Sequence, residues 1–311
     1  MKRGISKMPC QIRTDLALEA RESAEEASGD LRGVSVDEYD LEESDIHVTK
    51  VVIESANGAT ALGKPVGTYI TLEAPAMTEP DEDYHKEISE EIARQLWALL
   101  PDMTNEQSIL VVGLGNRDVT ADSLGPRVTD NLLITRQVMK EFGAAAYNRE
   151  RMHLVSAVVP GVMAATGMET AEIIRGVTMQ TKPDAVVVID ALAARSTRRL
   201  NRTIQITNTG IHPGSGVGNH RSAITAQTID VPTVIAIGIP TVVDAQTIVN
   251  DAIGRWHAGE QANGDMETPE LIPELANFYV TGKDVDEIVK RLSFTISEGL
   301  NRTFERFSAE A

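Results

Sequence analysis

Cysteine is nearly missing: Cys10 is the single one in 311 residues. One thiol makes no internal disulfide, no thiolate zinc cluster and no redox pair, and a cytoplasmic address is the default expectation. Aromatic residues are scarce, at 4%, too few for the stacking platforms on which single-stranded nucleic acid rests. Positive charge is short as well. Lys and Arg number 29 against 46 Asp and Glu, a formal net charge of −17. Such a surface repels phosphate backbones, so nucleic acid is not an expected partner. No apolar stretch approaches the roughly 20 residues of a membrane span, and residues 1–10 lack the apolar segment of a signal peptide. There is no internal repeat and no low-complexity tract. The histidines His47, His85, His153, His212, His220 and His257 form no HExxH or other close helical pair. No Asp-Thr-Gly or Asp-Ser-Gly triplet marks a pepsin-like protease. Local spacing therefore points to no metal and no cofactor, although Asp, Glu and His far apart in the chain can still converge on a metal.

What is present is ordinary for a globular protein: 42% hydrophobic and 24% charged residues, in a chain long enough for one large α/β domain or two small ones. Residues 1–45 are polar and charge-rich, an N-terminal arm with one short helix. Segments 47–54 and 67–73 alternate in polarity and read as a β-hairpin, with Asn57-Gly58 and Gly63-Lys64-Pro65 as turns in a long connecting loop. Apolar residues at Ile88, Ile92, Leu96 and Leu99 have helical spacing, and Pro101 ends that helix. Strand and helix then alternate. Strand 108–112 precedes a helix over about 126–142, and strand 152–158 precedes one over about 169–181. Strand 185–189 leads to a short helix and an exposed strand at 202–207. Strand 232–238 precedes a helix over 243–256. A loop over 257–268 and a final helix over about 285–307 complete the chain. Short, fully apolar strands between helices mark a buried parallel sheet. The expected fold is α/β: a mostly parallel sheet with helices on both faces, plus the N-terminal hairpin and arm.

Two aspartates stand out against that pattern. Ile109-Leu110-Val111-Val112-Gly113-Leu114-Gly115-Asn116 leads into Asp122-Ser123-Leu124-Gly125-Pro126. Ala185-Val186-Val187-Val188-Ile189 ends in Asp190. Open parallel sheets gather ligands and chemistry just beyond the carboxyl ends of their strands. Two carboxylates delivered there can share one proton and drive water at a carbonyl. A strand-end aspartate also serves simply to cap the next helix, and the residues alone leave both roles open.

Other motifs are weaker. Gly58-Ala59-Thr60-Ala61-Leu62-Gly63-Lys64 fits a phosphate-binding loop until Pro65, where Ser or Thr must bind magnesium. Turn glycines explain it better. Gly113-Leu114-Gly115 has the first two glycines of a dinucleotide fingerprint and lacks the third. His212-Pro213-Gly214-Ser215-Gly216-Val217-Gly218-Asn219 misses the G-x-S-x-G nucleophile pattern, yet its glycines suit either an active-site wall or a mobile loop. Glu169 opens a helix, where a carboxylate commonly offsets the helix dipole.

Taken in order, several segments resemble one family, the germination protease, or spore protease, of endospore-forming bacteria. They are Ile12-Arg13-Thr14-Asp15-Leu16-Ala17, Tyr69-Ile70-Thr71-Leu72-Glu73-Ala74, Val112 to Asn116, Asp122 to Pro126, Pro160-Gly161-Val162-Met163, Ile189 to Arg195, Gly210 to Asn219, and Gly238-Ile239-Pro240-Thr241-Val242-Val243-Asp244-Ala245. The resemblance implies a fold similar to that of hydrogenase-maturation endopeptidases and an atypical aspartic endopeptidase with two essential aspartates, which map onto Asp122 and Asp190. It implies a zymogen that removes its own propeptide, residues 1–15, by cutting between Asp15 and Leu16. The remainder, 16–311, is then one protease domain made of an N-terminal part (16–105), a catalytic sheet (106–257) and a C-terminal loop and helix (258–311). The implied substrates are small acid-soluble spore proteins, the implied setting is the spore core, and the implied assembly is a homotetramer.

On this reading the dyad activates water. Backbone N–H groups around Gly113, Gly115 and Asn116, or around His212, Gly214, Ser215 and Gly216, are candidates to bind the oxyanion. Arg117 and Arg195 are candidates to meet the Asp15 carboxylate, with ordinary surface pairing as the alternative. Because residues 1–15 are present, the uncleaved precursor is expected. Three other classes stay open on the sequence: a ligand-binding α/β protein without catalysis, a metal-dependent hydrolase using Asp122, Asp190, Glu169 and a histidine, and a hydrogenase-type maturation endopeptidase on the same sheet.

Overall fold

The computed structural model describes residues 14–28, 31–41, 44–100, 106–143, 152–214, 221–249, 252, 275 and 278–305. Its strands are β1 (Val34–Leu41), β2 (Ile46–Ile53), β3 (Gly67–Glu73), β4 (Ser108–Gly113), β5 (Leu154–Val158), β6 (Ala185–Ala194), β7 (Thr203–Thr207), β8 (Thr233–Asp244) and β9 (Tyr279–Val280). They form one 9-stranded sheet in the order β1-β2-β3-β7-β8-β6-β4-β5, with β9 paired to β8.

The fold is α/β. Its parallel part is the run β5, β4, β6, β8, while β1, β2, β3, β7 and β9 add antiparallel pairs around it. The central strands are apolar over their paired middles, which suits a sheet covered on both faces. Ile109 and Val111 of β4, with Val187 and Ile189 of β6, enter one core. Leu110 and Val112, with Val186 and Val188, enter the other. The helices are α1 (Ala17–Ser28), α2 (Ala56–Leu62), α3 (Glu82–Leu99), α4 (Leu124–Asp130), α5 (Arg136–Phe142), α6 (Met163–Thr166), α7 (Thr170–Thr181), α8 (Ala226–Ile229) and α9 (Val285–Phe304). Helices α3, α4 and α9 contribute to the first core, with Val289, Leu292, Ile296 and Leu300 repeating at helical spacing. Helix α7 and Ile229 of α8 pack into the second. No helix among the described residues is long and apolar enough to cross a membrane.

Several boundaries differ from the sequence reading. The helix expected over 126–142 is two helices, α4 and α5. Thr135 is drawn out of helical pairing by β5: its N–H donates to Val155 O (3.1 Å) and its Oγ1 accepts from the Val155 N–H (2.8 Å). The polar arm contains α1 and also a full edge strand, β1, whose side chains are mostly exposed and so lack an alternating signal. The hairpin is real, β2 against β3, but its connection folds into α2. Ser55 caps the start of that helix by accepting from the Gly58 N–H, and Gly63 closes it at φ 62°. No short helix follows Ile189; β6 runs on to Ala194 because β8 continues beside it through Val243. The expected 243–256 helix starts at Ala245, because β8 runs on through Asp244; its residues 250, 251 and 253–256 and the 257–268 loop lie outside the described residues.

Helix α4 enters very close to the sheet at Gly125. A methyl there would lie 2.4 Å from the Leu114 carbonyl oxygen and 2.7 Å from that of Ile189. Backbone cannot yield as a side chain would, so Gly125→Ala is expected to destabilise by about 1–3 kcal/mol. Exposed Gly176 in α7 meets nothing within 4 Å, and Gly176→Ala is expected to stabilise by about 0.5–1 kcal/mol. Urea unfolding of the two variants should move in opposite directions.

Candidate active site

Strands β4 and β6 stop pairing at Gly113 and Ile189. Beyond that point the β4 chain turns away, tied back once by the Leu114 N–H to the Ile189 carbonyl (2.8 Å). The turn is tight enough that Gly115 adopts φ +112°, and an added Cβ would fall 1.9 Å from the Asp122 carbonyl oxygen. Asp122 ends a short 3-10 turn, Thr120–Asp122. The Asn116 N–H donates both to Asp122 Oδ2 (2.9 Å) and to the Asp122 carbonyl (3.0 Å). Thr241 of β8 fixes the same turn, its Oγ1 donating to the Ala121 carbonyl (2.6 Å).

Asp190 sits within β6, 6% exposed, with Oδ1 accepting from the Ala191 N–H (2.9 Å). Both aspartates line one cleft of about 490 Å³, together with Asp15, Arg221, Thr241 and Tyr279. Burial pushes the Asp190 carboxyl well above the usual aspartate range, and the nearby charges of Asp122 and Asp15 push it further, against the Ala191 N–H and Arg221. Burial also raises Asp122, opposed by the Asn116 N–H and by Arg221. Two carboxyl groups so placed favour holding a proton between them over carrying two charges.

The chain's own N-terminal segment lies in this cleft. The Asp15 N–H donates to the Ala193 carbonyl (3.1 Å), and the Ala193 N–H donates to Asp15 Oδ2 (2.9 Å). Leu16 is fully buried against Leu192, Ala194 and Val243.

A family model described as germination protease matches residues 12–270. A germination protease of Caldanaerobacter subterraneus subsp. tengcongensis is 44% identical, over 93% of each chain. One of Clostridium perfringens is 41% identical, over 93% of this chain and 94% of its own. One of Bacillus cereus is 42% identical, over 88% of this chain and 75% of its own. This chain belongs to the germination protease family. Among solved structures, a [NiFe] hydrogenase maturation protease of Thermococcus kodakarensis aligns over 66% of this chain and 98% of its own, with 18% identity and a TM-score of 0.33, a likeness too weak to carry an argument.

In this family member, then, Asp15, Leu16, Asp122 and Asp190 come together, and Gly115 and Gly214 line the same cleft. Gly113 is the buried last residue of β4, and the Asn116 N–H is engaged by Asp122. His212 is exposed and lines a neighbouring cavity beside Lys64 and Gln205. Ser215 and Gly216 lie outside the described residues. Of the two roles open to Arg117 and Arg195, the structure shows pairing with partners other than Asp15. The Arg117 guanidinium holds Asp130 (2.7 and 2.8 Å), and Arg195 Nη1 donates to Ser23 (3.2 Å). The Asp15 carboxylate accepts a backbone N–H, a contact that side-chain spacing does not reveal. Glu169 caps α7 in a capping box with Glu172. Among the described residues, no group of three or more His, Cys, Asp or Glu is placed to hold a metal ion. Arg221, Thr241, Lys64 and Gln205 escaped the sequence reading. Thr241 stood within a segment that carried the resemblance, and Arg221 follows the glycine-rich loop closely.

The raised carboxyl values have a stability consequence. The folded state favours the protonated Asp190 more than the unfolded chain does. The group therefore costs nothing at low pH and destabilises progressively as pH rises from the ordinary aspartate value, about 3.9. Asp190→Asn is expected to raise the melting temperature at pH 7, with the gain shrinking towards pH 4. Paired thermal melts across that range check the sign.

Proposed function

We propose that this chain is an endopeptidase in which Asp122 and Asp190 activate water, and that it cuts on the carbonyl side of an acidic residue. The first cut falls in its own chain, between Asp15 and Leu16; later cuts fall in small acid-soluble spore proteins. One observation carries this reading: Asp15 is held against Ala193 by its backbone N–H and by its carboxylate, inside the cleft that both catalytic carboxyl groups line.

The ionised member of the pair takes a proton from water as its oxygen attacks the Asp15 carbonyl. The protonated member gives its proton to the departing Leu16 nitrogen. The cleft's geometry supports the specificity. The Ala193 N–H meets an acidic side chain before the cut, and the pocket of Leu192, Ala194 and Val243 receives a large apolar one after it. While segment 14–16 occupies the cleft, other substrates are shut out, which is the logic of a zymogen with residues 1–15 as propeptide. The reading extends to the setting of the family resemblance, a homotetramer in the spore core.

Incubation at mildly acidic pH is expected to yield a chain beginning at Leu16, detected by intact-mass measurement. Asp122→Asn and Asp190→Asn should each slow that cut by at least about 10²–10⁴-fold while unfolding as cooperatively as the parent. A metal chelator should leave the rate unchanged. Near-normal cutting by either asparagine variant sinks the dyad, and loss of activity with chelator favours a metal-dependent hydrolase.

A further inference from the structure

The Asp15–Leu16 peptide is gripped by two side chains that the dyad mechanism does not use. Lys64 Nζ donates to the Asp15 carbonyl oxygen at 2.8 Å, and Gln205 Nε2 donates to the same oxygen at 3.2 Å. Gln205 Oε1 accepts the Ala17 N–H at 2.6 Å. The Gln205 amide thus spans Leu16, and having a donor at one end and an acceptor at the other fixes which way it faces. Gln205 is 7% exposed, in β7. Lys64 directly follows Gly63, the left-handed cap of α2. It is the lysine of the run that imitates a phosphate-binding loop. The fold delivers it to a peptide carbonyl.

Resting on the reading that Asp15–Leu16 is the bond cut, we propose that Lys64 and Gln205 form the oxyanion-binding site of this protease. The water oxygen bonds to the Asp15 carbonyl carbon, and the water proton goes to the ionised carboxylate. The carbonyl π pair moves onto the oxygen, which becomes an oxyanion facing Lys64 Nζ and Gln205 Nε2. As that pair returns, the C–N bond breaks and the Leu16 nitrogen takes the proton of the other carboxyl. An ammonium attracts a full negative charge far more than a carbonyl dipole, and does so most strongly where water is excluded. The contact therefore strengthens on the way to the transition state.

Self-cleavage of the full chain, followed by mass over a range of pH, tests this. Facing Lys64 are the carboxylates of Asp15 and Glu19, and Tyr69 and His212 line the same cavity. Burial outweighs the carboxylates and holds the Lys64 ammonium below the ordinary lysine value, so the rate should fall on the alkaline side as Lys64 loses its proton. Lys64→Met is expected to cut about 10²–10³-fold more slowly. Lys64→Arg should recover most of the rate, with the alkaline fall moved to higher pH because a guanidinium stays charged. A Lys64→Met chain cutting at the parental rate overturns the proposal. So does a Lys64→Arg chain with the parental alkaline limb, which would mark Lys64 as a tether only. Should Lys64→Met melt well below the parent, the Lys64→Arg profile decides alone. A parent chain that never acquires Leu16 as its N-terminus overturns the cleavage reading and this inference together; a normal cut in the parent with no Lys64 effect overturns only this one.

Discussion

Strand β6 outruns its neighbour. Pairing with β4 ends at Ile189, yet β6 continues through Ala194 with β8 still beside it. The uncovered stretch begins with Asp190 and includes Ala193, whose N–H and carbonyl pair with Asp15. The departure of β4 creates the cleft and carries Asp122 to its wall. At Gly113, Gly115 and Gly125 backbone passes so close that a side chain has no room. The geometry of the cleft is thus a consequence of unequal strand lengths, held by a tight turn on one side and by Thr241 on the other.

The same cleft concentrates negative charge. Asp190 feels both Asp122 and Asp15, with Arg221 as a partial counterweight. Such a cluster lowers stability, and it persists because the surrounding sheet is apolar and well packed on both faces. On the proposed mechanism, cutting after Asp15 adds a further carboxylate at the new chain end. Repulsion from the dyad then favours release of the propeptide, while the Lys64 ammonium slows it.

Much of this is legible in the sequence, and the parts that are not share a cause. The strands β4 and β6 announce themselves by continuous apolar residues, and the ends of those runs single out Asp122 and Asp190 on pattern alone. Contacts made across the fold leave no local trace. Lys64 and Gln205 meet the Asp15 carbonyl from 49 and 190 positions away, and the glycines before Lys64 advertise a nucleotide site more loudly than a peptide one. Arg117 and Arg195 are near the site in sequence, yet their guanidinium groups reach Asp130 and Ser23. The break between α4 and α5 is likewise dictated by β5, a partner that helical periodicity cannot register.

On the proposed cleavage, helix α1 accounts for how a bond next to a helix would be cut without unravelling the site. Glu19 is 1% exposed, and its carboxylate accepts the backbone N–H groups of Arg195 (2.8 Å) and Ser196 (3.0 Å) beyond the end of β6. The Thr14 hydroxyl donates to the same carboxylate. Glu19 therefore anchors both sides of the Asp15–Leu16 peptide to the segment that follows β6. Hydrolysis would free only the Thr14 side. The two backbone bonds to Glu19 belong to the retained chain, so α1 and the Leu16 pocket would keep their places, and the vacated stretch along Ala193 would have the shape needed to receive the next acidic residue.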